Sequence, residues 1–438
     1  MNFRNGLAHK PDPASAGRII PPPTHNMSNN IPTKFQWPQE FPGAHWIDGQ
    51  EEQAVLDVLR NGSLFRYYGL KQPRHVDDYE RTAREFYGVK HALAVSSGTG
   101  ALICSMTALG MGPGCEVILP SFLWVACVGA VVQVGAIPVL AEVDESLNLD
   151  TSKLEAKITL RTKLIVTVHM AGVPCDMDSI MRIADKHGIP VLEDCAQCNG
   201  GSYKGRKVGT IGRMGIFSLQ LNKNMTSGEG GLIITNDEQL YERAFSSHDM
   251  GMIRKNGRLT QPEPYALSWG QGRRMSELCG SVAGVQLKKL PAILERMRGS
   301  KKRIKAGLAS TPGLTFRTVP DPAGDSGPFL IMLLDNADQA KKLTSGLKEA
   351  GFGNVFRIVE YGLHIYFNIV ALVNKTPLSA AGNPWSSAEN RNSVYDYHKG
   401  ACPHSDALFE RSVLLPIPSC LTPEQEETAV NTIKNILH

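Results

Sequence analysis

Lys223 sits within FSLQLNKNMTSGEGG, residues 217–231, with Ser218 before it and Thr226, Ser227 and Gly228 after it. The apolar run Leu232-Ile233-Ile234 follows. On a small-residue turn between two strands, a lysine is partly shielded from water. Its ammonium is then disfavoured, and the free amine is the better nucleophile. The ordinary alternative is a solvated loop lysine ahead of a hairpin. Three upstream features bear on the choice. Ser97-Gly98-Thr99-Gly100 is a small-residue turn between a strand and a helix, where backbone N–H groups and the helix dipole suit a phosphate. Tight packing alone also explains it. The turn is neither GxGxxG nor a Walker loop, so a dinucleotide or ATP is not favoured. Glu193-Asp194 ends a buried strand, where an acid costs free energy unless paired. It suits a buried cation such as a protonated pyridine nitrogen, or serves as a cap for the next turn. Trp124 follows Pro120-Ser121 and offers a flat ring for stacking, or is a core tryptophan. A phosphate turn, a stacking ring, an acid for a ring nitrogen and a sheltered lysine, with Ser218 as a second phosphate ligand, together describe a site for pyridoxal 5′-phosphate.

Alternating strands and helices must position these residues. The pattern reads as strands at 92–95, 116–119, 138–141, 164–168, 190–192, 217–218 and 232–235, with helices at 101–109, 124–134 and 177–187 between them. Apolar strands spaced by helices imply a mostly parallel sheet covered on both faces, with ligands at the carboxyl ends of its strands. Beyond about residue 250 the pattern changes to that of a smaller α+β unit, with a helix from 275 onward, strands at 329–334 and 413–417, and a final helix at 423–437. Residues 361–397 lack periodicity and read as a long loop near the substrate. Residues 1–40 are polar and Pro-rich and read as an arm. The expected domains are therefore 41–290, carrying the site, and 291–438.

The 438 residues are 42% hydrophobic and 20% charged, enough for a large core. A formal charge of +4 is small for this length, and no basic block points to nucleic acid. No apolar run is long enough to span a bilayer, and the first residues lack the pattern of a signal peptide. Nine cysteines without framework spacing read as reduced thiols of a cytoplasmic protein. No metal is expected.

The chain resembles the DegT/DnrJ/EryC1/StrS aminotransferases, fold-type I pyridoxal-phosphate enzymes acting on sugars and cyclitols. Six motifs carry the resemblance, in order: Ser97-Gly98-Thr99; Pro120-Ser121-Phe122-Leu123-Trp124; Val168-His169 with Gly172; Glu193-Asp194-Cys195-Ala196-Gln197; Phe217-Ser218 with Lys223; and Gly228-Glu229-Gly230-Gly231. It implies a large α/β domain with a mostly parallel seven-stranded sheet and a smaller α+β C-terminal domain. It implies that Lys223 forms the Schiff base with the cofactor and then acts as general base. Asp194 would pair with the pyridine nitrogen, Trp124 would stack on the ring and Gln197 would lie near its 3′-oxygen. Gly98, Thr99 and Ser218 would hold the phosphate. His169 ends a strand near the cofactor in family members; a structural role is the alternative here. In this reading the CxxC of Cys195 and Cys198 is incidental, not a redox pair.

The resemblance further implies a homodimer with active sites at the subunit interface, moving an amino group from glutamate or glutamine to a keto-sugar or keto-cyclitol. Two stretches depart from the pattern. Gly272 stands where the family usually carries an asparagine that reaches the neighbouring subunit's phosphate, leaving Gln271 or Arg273 as substitutes. Residues 357–385 fit poorly and are expected to shape the acceptor site. The family's sugar-deoxygenating dehydratases carry histidine in place of the lysine, so Lys223 argues against them. Aminobenzoate-forming members keep the lysine and stay open, as does a non-catalytic binding or regulatory protein of the same fold. An NAD-linked oxidoreductase lacks its glycine fingerprint here.

Overall fold

Seven strands form the central sheet: β1 (His91–Val95), β2 (Glu116–Pro120), β3 (Ile137–Ala141), β4 (Thr162–Val168), β5 (Val191–Asp194), β6 (Met214–Ser218) and β7 (Gly231–Thr235). Their order is β1-β7-β6-β5-β4-β2-β3. Only β7 is antiparallel to its neighbours in this sheet. The computed structural model of the chain describes residues 35–438 apart from 73, 256 and 257. Residues 1–34 of the expected arm lie outside the described residues. From Trp37 the chain is packed: the indole N–H donates to Pro416 O at 3.1 Å, and the ring stacks on Phe352 at 5.0 Å.

The strands are apolar along their whole length because both faces are covered. Successive side chains alternate between two cores, as a two-residue period requires. Val117 and Leu119 join Ala101 and Leu102 of the helix Gly98–Ala108 and Val128 and Val131 of the helix Val125–Gln133. Ile118 joins Ile180 and Ala184 of the helix Met177–His187 on the opposite face. Because β1, β2, β4, β5 and β6 run in one direction, their carboxyl ends share one edge of the sheet.

A second, antiparallel sheet takes the strands Leu314–Phe316, Phe329–Leu334, Ser412–Pro416 and Phe356–Arg357, in that order. The helix Glu277–Leu308, capped by Ser276, is continuous through Pro291. It packs on His75–Tyr87 beside the first sheet and on Pro423–Leu437 beside the second.

The stretch expected as one loop near the substrate divides in two. Residues 362–368 are tight 3-10 turns, and the His364 carbonyl accepts from Leu123 N–H at 3.0 Å, just beyond β2's carboxyl end. Residues beyond 376 run to the opposite edge. Asn390 accepts from Gly114 N–H and donates to Gly135 O. Ser393 donates to the buried carboxylate of Glu116, the first residue of β2. The Tyr397 hydroxyl donates to Pro138 O of β3 at 2.7 Å. β3 ends the sheet, and an edge strand presents unpaired backbone groups unless something covers it. This segment is the cover, a role that periodicity cannot separate from that of a substrate loop.

Candidate active site

β6 ends at Ser218, and residues 219–230 turn the chain back into β7. Two backbone bonds of 2.9 Å, Leu219 N–H to Gly230 O and Ser227 N–H to Leu219 O, close the base of this loop. Thr226 donates its hydroxyl to Leu219 O and its N–H to Gln286 Oε1 on the long helix. Gly43 N–H donates to Lys223 O at 3.1 Å. A Cβ on Gly43 would lie 2.7 Å from Thr226 N, so this approach is open to glycine alone. The backbone of Lys223 is thus held from two sides. Burial lowers the pKa of its ammonium, and the Asp194 carboxylate and Cys127 act against that shift. The Lys223 residue is half-buried, and that burial favours its neutral amine.

Beyond β1, Ser97 caps the helix Gly98–Ala108, accepting from Gly100 N–H on its hydroxyl at 2.9 Å and from Ala101 N–H on its carbonyl. A helix leaves its first amides without intrahelical partners, so those of Gly98 and Thr99 are left for an anion. Gly98 lies directly on the end of β6: a Cβ there would meet Ser218 Cβ at 2.8 Å and Oγ at 3.1 Å. The turn and Ser218, far apart in sequence, form one cradle that a larger residue would fill. This donor set fits a phosphate.

Glu193 and Asp194 end β5 but face opposite ways. The Glu193 carboxylate accepts from the N–H groups of Gly209, Ile211 and Gly212 and meets His169 Nε2 at 3.0 Å. His169 Nδ1 accepts from Cys175 N–H, which puts the ring proton on Nε2. His169 and Glu193 are a buried structural pair. Asp194 is 3% exposed. Its Oδ1 accepts from Ala196 N–H at 2.9 Å and its Oδ2 from the Cys127 thiol at 3.0 Å. A carboxylate offers about four lone-pair sites, so Asp194 retains acceptor capacity for a cationic ring nitrogen. Cys195 and Cys198 are free and buried, and burial raises both thiol pKa values, that of Cys198 to about 12.

Trp124 precedes the helix Val125–Gln133 and is 41% exposed, which leaves ring surface free for a ligand. Its ring centroid lies 4.6 Å from that of His364, which stacks in turn on Tyr361 at 4.1 Å. Gln197 accepts from Ala171 N–H on Oε1, so its amide nitrogen faces His364 Nε2 at 3.1 Å. His364 Nδ1 donates to Tyr361 O, leaving Nε2 as the acceptor. His364 was not among the residues expected here. It has no sequence motif, and its only signal was its place in a stretch expected near the substrate.

Burial pushes the imidazole of His364 down to about 4 and that of His248 to about 3. Both are lowered from 6.5, so between the folded and unfolded values the unfolded chain binds more protons. Their contribution to stability is complete above about pH 6.5 and is lost as pH falls through about 4 and then 3. Urea midpoints should therefore fall between about pH 7 and pH 5, and fall less in His364→Gln than in the wild type. Equal slopes for the two proteins would contradict the buried neutral imidazole.

Gly272 has φ of +65°. Gln271 donates to Ser247 Oγ at 3.2 Å and accepts from Arg273 Nε at 2.5 Å. The Arg273 side chain lies over the Ser97–Gly100 turn of its own chain: a Cβ on Gly100 would meet Arg273 Cδ at 3.3 Å.

The model of the DegT/DnrJ/EryC1/StrS aminotransferase family matches residues 46–376. The chain is 34% identical over 267 residues to GDP-perosamine synthase of Vibrio cholerae, covering 61% of this chain and 70% of that one. It is 36% identical over 325 residues to L-glutamine:2-deoxy-scyllo-inosose aminotransferase of Streptoalloteichus tenebrarius, covering 68% of this chain and 73% of that one. Among solved structures it is similar to 3-amino-5-hydroxybenzoic acid synthase, with a TM-score of 0.75 and 27% identity, covering 91% of this chain and 98% of that one. With these matches and this sheet, the chain belongs to the DegT/DnrJ/EryC1/StrS aminotransferase family.

Proposed function

We propose that the chain binds pyridoxal 5′-phosphate and moves an amino group from glutamate or glutamine to a keto-sugar or keto-cyclitol, as a homodimer. The observation that carries this reading is the half-buried Lys223 amine, within electrostatic reach of the buried Asp194 carboxylate, with the Gly98–Ser218 cradle at the end of the adjoining strand. When bound, pyridoxal phosphate supplies the electron sink that lets a carbon–hydrogen bond next to an amine be broken. Gly98, Thr99 and Ser218 would hold the phosphate, and Asp194 would keep the ring nitrogen protonated by ion pairing. Trp124 would offer its exposed ring to the cofactor, and Gln197 would lie near the 3′-oxygen. Lys223 is the covalent anchor. Once released, its amine takes up the α-proton of the amino donor and holds it; burial favours the neutral amine that this needs. The names of the relatives support the acceptor class, since one is a perosamine synthase and one acts with a scyllo-inosose.

The test is to add pyridoxal phosphate to the purified chain and follow the visible band of lysine-bound cofactor. Glutamate or glutamine should bleach it, and keto-sugars or keto-cyclitols should restore it. A chain that shows no band, or whose band no amino donor alters, contradicts the reading. The likeness to 3-amino-5-hydroxybenzoic acid synthase favours one alternative, an aromatising synthase that keeps the lysine. Formation of an aromatic product from a cyclic ketone, without consumption of an amino donor, would select it.

A further inference from the structure

Asp194 is held by a group that the reading above does not use. Cys127 lies in the first turn of the helix Val125–Gln133, and its N–H donates to Trp124 O at 2.9 Å. Its side chain is fully buried, and its thiol lies 3.0 Å from Asp194 Oδ2. The other carboxylate oxygen takes Ala196 N–H at 2.9 Å. Donors on both oxygens fix the plane of the carboxylate. The donor on Oδ2 comes from the same helical turn that carries Trp124, so acid and ring platform are held in register by one short element.

We propose that Cys127 is a positioning residue for Asp194: its thiol aims the carboxylate at the ring nitrogen. The inference rests on the pyridoxal-phosphate reading. The thiol stays protonated, and therefore a donor, because burial first and the Asp194 charge second raise its pKa well above the ordinary thiol value. A hydrogen bond to an ionised acceptor is stronger than one between neutral groups, and so holds its geometry more firmly. Without that bond Asp194 is free to rotate away from the ring nitrogen, and the ion pair that keeps that nitrogen protonated weakens. The geometry also assigns Cys127 no nucleophilic or redox part. A buried, protonated thiol bonded to a carboxylate is a poor nucleophile.

The experiment compares wild type, Cys127→Ala and Cys127→Ser, each loaded with cofactor labelled with 15N at the ring nitrogen. The 15N resonance reads the proton on that atom, and the rate of cofactor release into a trap reads the grip on it. In Cys127→Ala the resonance should move toward that of unprotonated pyridine, and release should quicken about ten-fold, the scale of one hydrogen bond to a charged group. Cys127→Ser keeps a donor and should restore most of both. If thiol and methyl only fill space, both variants lose thermal stability while resonance and release stay at wild-type values, and the inference is overturned. Equal shifts in the alanine and serine variants would overturn it too. A wild-type chain that binds no pyridoxal phosphate would overturn the functional reading and this inference together, so the two failures are told apart by the wild type alone.

Discussion

Lys223→Ala is expected to reduce turnover by about 10⁴-fold, the upper range for loss of a general acid–base group, and to abolish the visible band of lysine-bound cofactor. The loop that carries Lys223 is closed by its own backbone bonds and by those from Gly43 to Lys223 O and from Thr226 to Gln286. None of these uses the lysine side chain, so the variant should fold. Its cofactor should bind through the Gly98–Ser218 cradle without a covalent link. Single-turnover assays with added small primary amines would separate chemistry from folding: partial rescue by amine is expected, because an external amine can replace the missing base. Wild-type turnover in Lys223→Ala would remove Lys223 from the mechanism.

Asp194→Asn should cost about 10²–10³-fold in kcat/KM, as expected when one partner of a buried charge pair is removed. The amide keeps the shape of the carboxylate but not its charge, so the ring nitrogen is no longer held protonated. A second consequence concerns the lysine. The Asp194 charge raises the pKa of Lys223 against the larger effect of burial, so removing it should lower that pKa further. In the cofactor-free protein, the pH dependence of Lys223 acylation should shift to lower pH in Asp194→Asn. A shift to higher pH would mean that the two side chains do not interact as the geometry has them.

Much of this arrangement was legible in the residues. Alternation of apolar strands and helices revealed the parallel sheet, because strand and helix periods are local properties of the chain. It also placed the turn at Gly98, Trp124, Asp194 and Lys223 at or just beyond strand ends, and those ends share one edge. Glu193 and Asp194 could be told apart only in part. Strand alternation says that they point to opposite faces, but not which face holds the lysine. The bonds from Gly209, Ile211 and Gly212 to Glu193 settle that it serves the backbone. The stretch 361–397 was legible only in part. Low periodicity marked it as irregular, yet one part meets the site through His364 and another covers the edge strand through Tyr397. Both tasks demand small, polar and aromatic residues without repeat.

The order of the elements, the family and the class of chemistry follow from patterns that a few neighbouring residues carry. Pairings across the fold do not. Cys127 meets Asp194, His364 meets Gln197 and Trp124, and Gly98 rests on Ser218 only once the strands are side by side. Each pairing depends on which faces of distant segments are brought together, and that is set by the packing of two cores against one sheet. The class of chemistry is therefore written in the local motifs. The state of the groups gathered at the strand ends — an amine whose neutral form burial favours, an oriented acid, a neutral imidazole — is written in burial, which exists only in the folded chain.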